Sequence, residues 1–204
     1  MRKHLERINK NVFRSKSIMN NLLKFSRNDE PLLETVDVRD LLRETIRLVQ
    51  DTALSKQRVF QLKTDDENPV RSQAGGEGNF MLRTMPSQLQ QVFLNLLLNA
   101  VQATSDHGTI SISVKSHGKE MEFLVADDGV GSPRENSEKV FQPLFTTKPI
   151  GEGTGLGLAL CRQIIASLGG QIDVKRGLDE GAIFRVVLPT GRETLEALLA
   201  PSKG

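Results

Sequence analysis

The chain has 204 residues, 38% of them hydrophobic and 25% charged, which is enough for one full domain with a sizeable core and a small appendage. A single cysteine, Cys161, excludes an internal disulfide framework and reads as core packing, and no run of about 18 apolar residues or signal-peptide pattern marks a membrane or secretory protein. The expected compartment is therefore the cytoplasm, and a net charge of +2 points neither toward nor away from nucleic acid.

Residues 4–27 are expected to form one long amphipathic helix, with Leu5, Ile8, Val12, Met19 and Leu22 repeating at spacings of three, four and seven. Its other face is basic (Arg2, Lys3, Arg7, Lys10, Arg14, Lys16), read as a solvated surface, with a membrane surface or nucleic acid as the competing contacts. Such a stripe needs a partner helix. Asn28 to Pro31 breaks the pattern. A strand at 33–38, a helix at 39–55, a strand at 58–63, an exposed polar segment at 65–78 and a strand at 79–85 are expected next.

Pro86 opens a helix predicted to run to Thr104. Leu89, Val92, Phe93, Leu96, Leu97, Ala100 and Val101 make it apolar nearly all round, yet Gln88, Gln91, Asn95, Asn99 and Gln102 form one polar stripe. Amides on a face bound for the interior need partners. They read either as a structural hydrogen-bond ladder or as the wall of a wet cleft whose oxygens suit Mg²⁺ held jointly with phosphates.

Strands at 109–116 and 120–127 follow, joined at Gly118, and the apolar run Phe123 to Ala126 ends on Asp127. A carboxylate at the end of a buried strand calls for a partner. Gly129 and Gly131 then allow a sharp turn and a close approach to a ligand. The span Gly131 to Gly153 is long enough to be a lid; Phe141, Leu144 and Phe145 can pin it, while Thr146, Thr147 and Lys148 can reach a phosphate. Gly153, Gly155 and Gly157 lead into an apolar helix predicted at 154–168. Glycines before a helix offer free N–H groups and a positive dipole end to phosphate, or else make only a tight turn. The P-loop pattern is absent, because Gly118-Lys119 is followed by Glu120, and no strand directly precedes the glycines as a dinucleotide fingerprint needs. A hairpin at 171–176 and 182–188 closes the domain, and the residues after Gly191 read as a polar tail or short helix.

In this order the motifs resemble the ATP-binding domain of sensor histidine kinases, a nucleotide fold shared with DNA gyrase, the Hsp90 chaperone and the MutL mismatch-repair proteins. Asn95-x-x-x-Asn99-Ala100 matches the N box, Asp127-x-Gly129-x-Gly131 the first glycine box, Phe141 to Lys148 the phenylalanine box and lid, and Gly153-Thr-Gly-Leu-Gly-Leu158 the second glycine box. The resemblance covers roughly residues 30–189 and implies an α/β two-layer sandwich, a mixed sheet covered by helices (the Bergerat-type ATP-binding fold), preceded by one long amphipathic helix. Residues 1–29 resemble the second helix of a dimerisation and phosphoacceptor hairpin, and 190–204 are left as a C-terminal tail.

The resemblance implies roles for the matching positions. Asp127 would accept the adenine amino group; Asn99 would hold Mg²⁺, with Asn95 lining the same metal and phosphate region. Lys148, Thr146, Thr147 and the stretch Gly153, Thr154, Gly155, Leu156, Gly157 and Leu158 would bind phosphates, with Asn95 and Lys148 closest to the chemistry. The implied cofactors are ATP and Mg²⁺. The implied partners are the phosphoacceptor helices of a homodimeric kinase and a response regulator's receiver domain, with no nucleic acid and with membrane contact only through other segments. The gyrase branch has a general-base Glu where Asn95 stands, so phosphoryl transfer is favoured over hydrolysis; an ATP-gated interaction module is the alternative from another class, and a gyrase- or MutL-type ATPase a third. The chain departs from the pattern at Gln102, where many relatives carry a basic residue, and at Gly181-Ala-Ile-Phe184, where relatives often carry threonines near the adenine. None of His4, His107 and His117 stands in the family's acceptor motif, so the chain reads as part of a longer kinase whose acceptor lies elsewhere.

Overall fold

Period-two alternation along three strands sets the architecture. In β4 (Thr109–Ser116) Ile110, Ile112 and Val114 are buried; in β5 (Glu120–Asp127) Met121, Phe123, Val125 and Asp127; in β7 (Ala182–Pro189) Ala182, Phe184, Val186 and Leu188. Side chains two apart share a sheet face, so these three rows form one apolar surface. With β2 (Val59–Thr64) and β6 (Gln171–Arg176) they make a five-stranded sheet in the order β2-β4-β5-β7-β6, in which only the β2–β4 pair is parallel. The structure is a computed structural model and describes residues 32–52, 57–64, 80–131, 138–148, 153–177 and 181–191. The expected helix at 4–27, the polar segment at 65–78, residues 132–137 and 149–152 of the expected lid, and the C-terminal tail beyond residue 191 lie outside the described residues.

Among the described residues, three helices cover the apolar surface: α1 (Val38–Gln50), α2 (Pro86–Ala103) and α3 (Gly157–Ser167). In α1, Val38, Leu41, Leu42, Thr45, Ile46 and Val49 are buried, a stripe at helical spacing. Asp37 caps its start, Oδ1 accepting the Arg39 N–H at 2.9 Å, while the Arg39 guanidinium returns to the same carboxylate and holds its pKa below the usual value. The helix ends at Gln50, short of the expected 55, because the Asp51 and Thr52 N–H groups and the Thr52 hydroxyl turn back onto the Arg47 and Val49 carbonyls. α2 packs between α1 and α3, which is why its sequence is apolar nearly all round, and Phe93 meets Phe123 of the sheet with ring centroids 5.0 Å apart. A separate antiparallel ribbon pairs β1 (Glu34–Asp37) with β3 (Met81–Thr84), and the Val38 N–H donates to the Phe80 carbonyl at 3.0 Å. The expected two-layer α/β sandwich with a mixed sheet is therefore the observed architecture.

The start of α3 and the lid also differ from expectation, for tertiary reasons. α3 begins at Gly157, not 154, because Gly155 holds φ +66°, outside the right-handed helical region. Within the expected lid, Lys139–Phe141 forms a short 3₁₀ turn that buries Phe141 edge-on against Phe184, with centroids 6.5 Å apart.

Candidate functional site

The buried row of β5 runs Met121, Phe123, Val125, Asp127, so the same alternation that buries three hydrophobes carries a carboxylate onto the helix-facing side of the sheet. Asp127 is only 9% exposed. Its Oδ1 accepts the Gly129 N–H at 3.0 Å and the Ala182 N–H at 3.3 Å, while Oδ2 has no hydrogen-bond partner among the described residues. Burial raises the pKa of this carboxyl, the two backbone hydrogen bonds oppose the rise, and the neighbouring Asp128 charge adds to it. Asp128 itself pins the start of β4, accepting the Thr109 N–H at 2.7 Å.

The backbone around Asp127 leaves no room for side chains. A Cβ on Gly129 would lie 2.4 Å from the Ala103 carbonyl oxygen at the end of α2, and one on Gly181 would lie 1.7 Å from the Asp127 carbonyl oxygen. Gly181 was visible in the sequence only as a departure from relatives. Its role as the wall that brings the Ala182 N–H onto Asp127 depends on a contact across 54 positions, so local sequence carries no sign of it.

At the other end, the α2 stripe grades from buried Gln91 through half-buried Asn95 and Asn99 to exposed Gln102. Lys148 crosses from the preceding loop, its Nζ donating to Asn99 Oδ1 at 3.3 Å and to Gln102 Oε1. Asn95 faces the start of α3, since a Cβ on Gly157 would lie 3.8 Å from its Oδ1, and its Nδ2 is buried with no hydrogen-bond partner among the described residues. Behind it the Cys161 thiol is fully buried; burial pushes its pKa up to about 12, while the Asn95 amide pulls it the other way. This cysteine packs in the core as expected.

The remaining expected residues divide. Thr146 Oγ1 accepts the Lys148 N–H at 3.2 Å and would lie 2.4 Å from a Cβ on Gly153, so these three form one knot. Thr154 Oγ1 accepts the Leu156 N–H at 3.3 Å and shapes the turn into α3. Gly155 is locked to Leu144, whose N–H donates to its carbonyl at 2.9 Å; Leu144 has φ +67° and is 72% exposed, a strained, solvent-facing leucine. Gly131 has φ +72°, Leu158 packs half-buried on the core, and Thr147 is exposed. No three His, Cys, Asp or Glu side chains cluster as metal ligands among the described residues. A cation at Asn99 would therefore need oxygens from a bound ligand, and the Lys148 ammonium shows that the Asn99 oxygen is presented to a positive charge.

The family model for histidine kinase-, DNA gyrase B- and HSP90-like ATPases matches residues 84–192, more than half of the chain. The chain belongs to this family. The match spans α2, both glycine-rich segments and the closing hairpin, the parts that build the cleft. The sensor histidine kinase ZraS of Escherichia coli K12 is 32% identical over 189 residues, covering 93% of this chain and 36% of ZraS. The histidine kinase ThkA, solved in complex with the response regulator TrrA, superposes with a TM-score of 0.72 at 27% identity, over 94% of this chain and 52% of that one. Full-length ShkA, solved in complex with AMPPNP, gives a TM-score of 0.68 at 26% identity, over 86% of this chain and 36% of that one. The chain is thus homologous to sensor histidine kinases, and it spans a little over a third of the length of the ZraS proteins it matches. No helix among the described residues is long and apolar enough to cross a membrane.

Proposed function

We propose that this chain binds ATP with Mg²⁺ and donates the γ-phosphoryl group to a histidine on a dimerisation helix, as the catalytic part of a two-component sensor kinase in which residues 30–189 form the ATP-binding unit. The observation that carries the reading is the Asp127 carboxylate, fixed through one oxygen by two backbone N–H groups and left with the other oxygen for a donor. An adenine amino group is such a donor, and burial makes an unpaired carboxylate costly enough that the site favours filling it. The solved ShkA complex with AMPPNP supports a nucleotide here by homology.

Lys148 and the N–H groups from Gly153 to Gly157 would then neutralise and orient the phosphates, and the Asn99 amide would hold Mg²⁺, with Asn95 lining the same region. Bound Mg²⁺ would supply charge neutralisation at the phosphate oxygens. In the transfer, the bond from the γ-phosphorus to the bridging oxygen breaks, ADP leaves with the electron pair, and a phosphorus–nitrogen bond forms on the imidazole. Asn95 cannot take a proton from water, which supports transfer over hydrolysis. The chain's part is positioning and electrostatics. From the histidine the phosphoryl group would pass to an aspartate of a response regulator's receiver domain, in keeping with the ThkA–TrrA complex.

The test is incubation with γ-labelled Mg-ATP, alone and with a separate helical hairpin carrying an acceptor histidine. Acid-labile label on the hairpin is expected. ATP binding without label anywhere would replace the proposal with an ATP-gated interaction module, and steady phosphate release would replace it with an ATPase.

A further inference from the structure

Three consecutive residues past the last paired position of β5 tie the base end of the cleft to three elements. The β4–β5 ladder ends on the pair Ile110 and Asp127. At the next position a side chain takes over: Asp128 Oδ2 accepts the Thr109 N–H of β4 at 2.7 Å. Gly129 then gives its N–H back to Asp127 Oδ1 at 3.0 Å, and Val130 gives its own to the Ala103 carbonyl of α2 at 3.3 Å. The Asp128 carboxylate is closely seated as well. A Cβ on Gly108 would lie 2.5 Å from its Oδ1 and 2.3 Å from the Thr104 methyl, so the glycine makes room for it.

We propose that Asp128 is a positioning residue for base recognition: by holding the turn after β5 onto β4, it fixes the Asp127 carboxylate where the adenine amino group must donate. This deepens the reading of the cleft as a Mg-ATP site and rests on it. Asp127 takes its orientation in part from the Gly129 N–H two positions on, and Gly129 is placed by the residues on either side of it. Val130 secures the far side by a long hydrogen bond, and Asp128 the near side by a short one to an ionised acceptor. Without that bond the turn loosens, and the oxygen that Gly129 fixes loosens with it. An acceptor already in place spares the ligand the cost of ordering it on binding. Electrostatics points the same way. After burial, the Asp128 charge adds to the rise of the Asp127 pKa, so the two carboxylates repel and the outer one has to be held.

The experiment titrates two ligands into the 204-residue chain by calorimetry: Mg-ATP, and Mg-purine riboside triphosphate, which is ATP without the 6-amino group. Wild type, Asp128→Ala, Asp128→Asn, Asp127→Asn and the double variant Asp127→Asn with Asp128→Ala are compared. Both ligands report on the same folded molecules, so the ratio of their affinities is insensitive to a general loss of stability. Wild type is expected to prefer ATP by about tenfold or more. Asp128→Ala should narrow that preference about threefold to tenfold, the scale of one modest hydrogen bond, with the analogue's affinity unchanged. Asp128→Asn keeps an oxygen for the Thr109 N–H and should retain the preference to within about twofold. With Asp127→Asn already present, Asp128→Ala should change the ratio no further, since Asp128 acts through Asp127. Equal losses for both ligands in Asp128→Ala, or an unchanged ratio, would overturn the proposal. So would a further change of ratio in the double variant, or a loss in Asp128→Asn as large as in Asp128→Ala. A wild-type chain that binds both ligands equally would overturn it together with the role of Asp127, whereas failure to bind either would remove the nucleotide reading itself.

Discussion

The two ends of the cleft are built in opposite ways. The Asp127 end is part of the sheet: its carboxylate continues the buried row of β5, its hydrogen bonds come from backbone, and Gly129 and Gly181 are closed in by neighbouring main chain. Among the described residues, the segment at the Lys148 end meets α2 through the Lys148 side chain, α3 through the Leu144–Gly155 backbone contact and the Glu138–Arg162 pair, and the sheet through Phe141. A base-recognition site needs a fixed acceptor, because specificity comes from an unpaired group that cannot relax. A phosphate site that must load and release can rest on few contacts, since local stability follows the number of buried interactions. Under the proposed function, this difference assigns base specificity to the core of the sheet and phosphate chemistry to the segment before α3.

The largest effect expected is on Asp127. Asp127→Asn keeps the shape and the Oδ1 acceptor but replaces the free oxygen with an N–H₂ that meets another donor. ATP affinity should fall by a hundredfold or more, about 3 kcal/mol. Stability should move the other way. The folded pKa of Asp127 is raised above 3.8, so its contribution to stability is present below that value and lost as pH rises through the folded pKa; at pH 7 the ionised carboxylate is a cost that Asn removes. The melting temperature of the variant at pH 7 should equal or exceed that of wild type, with the gap shrinking toward acid pH. Unchanged ATP affinity would remove Asp127 from base recognition.

One substitution made at each end tests the comparison directly. Gly181→Ala puts a methyl 1.7 Å from the Asp127 carbonyl oxygen, main chain against main chain in the sheet, and should cost about 3 kcal/mol of unfolding free energy in urea titrations. Gly155→Ala puts one 2.4 Å from Leu144 backbone at φ +66°, an intrinsic penalty of about 1–2 kcal/mol, in a turn outside the sheet. The loss of global stability should therefore be smaller, with weakened ATP binding as the main result. A larger denaturation shift for Gly155→Ala than for Gly181→Ala would reverse the assignment of rigid and yielding ends.

The rigid end was the more legible in sequence, for a physical reason. Strands β4 and β5 were readable because Ile110, Ile112 and Val114 alternate with polar residues, and that same period fixes the face on which Asp127 lies. The apolar girth of α2 announced a central helix, and its amide stripe announced a polar wall. What could not be read depends on partners distant in the chain. Gly155 is left-handed because Leu144 packs against it, which moves the start of α3 to Gly157; β1 finds β3 across more than forty residues; Gly181 is a glycine because of Asp127. The Lys148–Gln102 contact was likewise unreadable, since sequence showed only an amide where relatives carry a basic residue.

The smallest effect should lie on the open face of the sheet, touching neither end. There Glu122 accepts from the Arg185 guanidinium, which also reaches Asp173 at 3.5 Å, and His117 approaches the same Glu122 at 3.7 Å. The Arg185 hydrogen bond holds the Glu122 pKa below 4.5, so the stability this pair adds is present above that value and lost as pH falls through the lower folded pKa. Arg185 is partly exposed and water screens the pair, which limits its worth to about 0–1 kcal/mol. Glu122→Gln should lower stability at pH 7 by no more than that, and the difference should shrink as pH falls below 4.5 and vanish once pH has passed the lower folded pKa. ATP affinity should be unchanged. A nucleotide effect from this position would mean that the sheet transmits strain to Asp127, and the rigid end of the cleft would then be less independent of its surroundings than its backbone contacts imply.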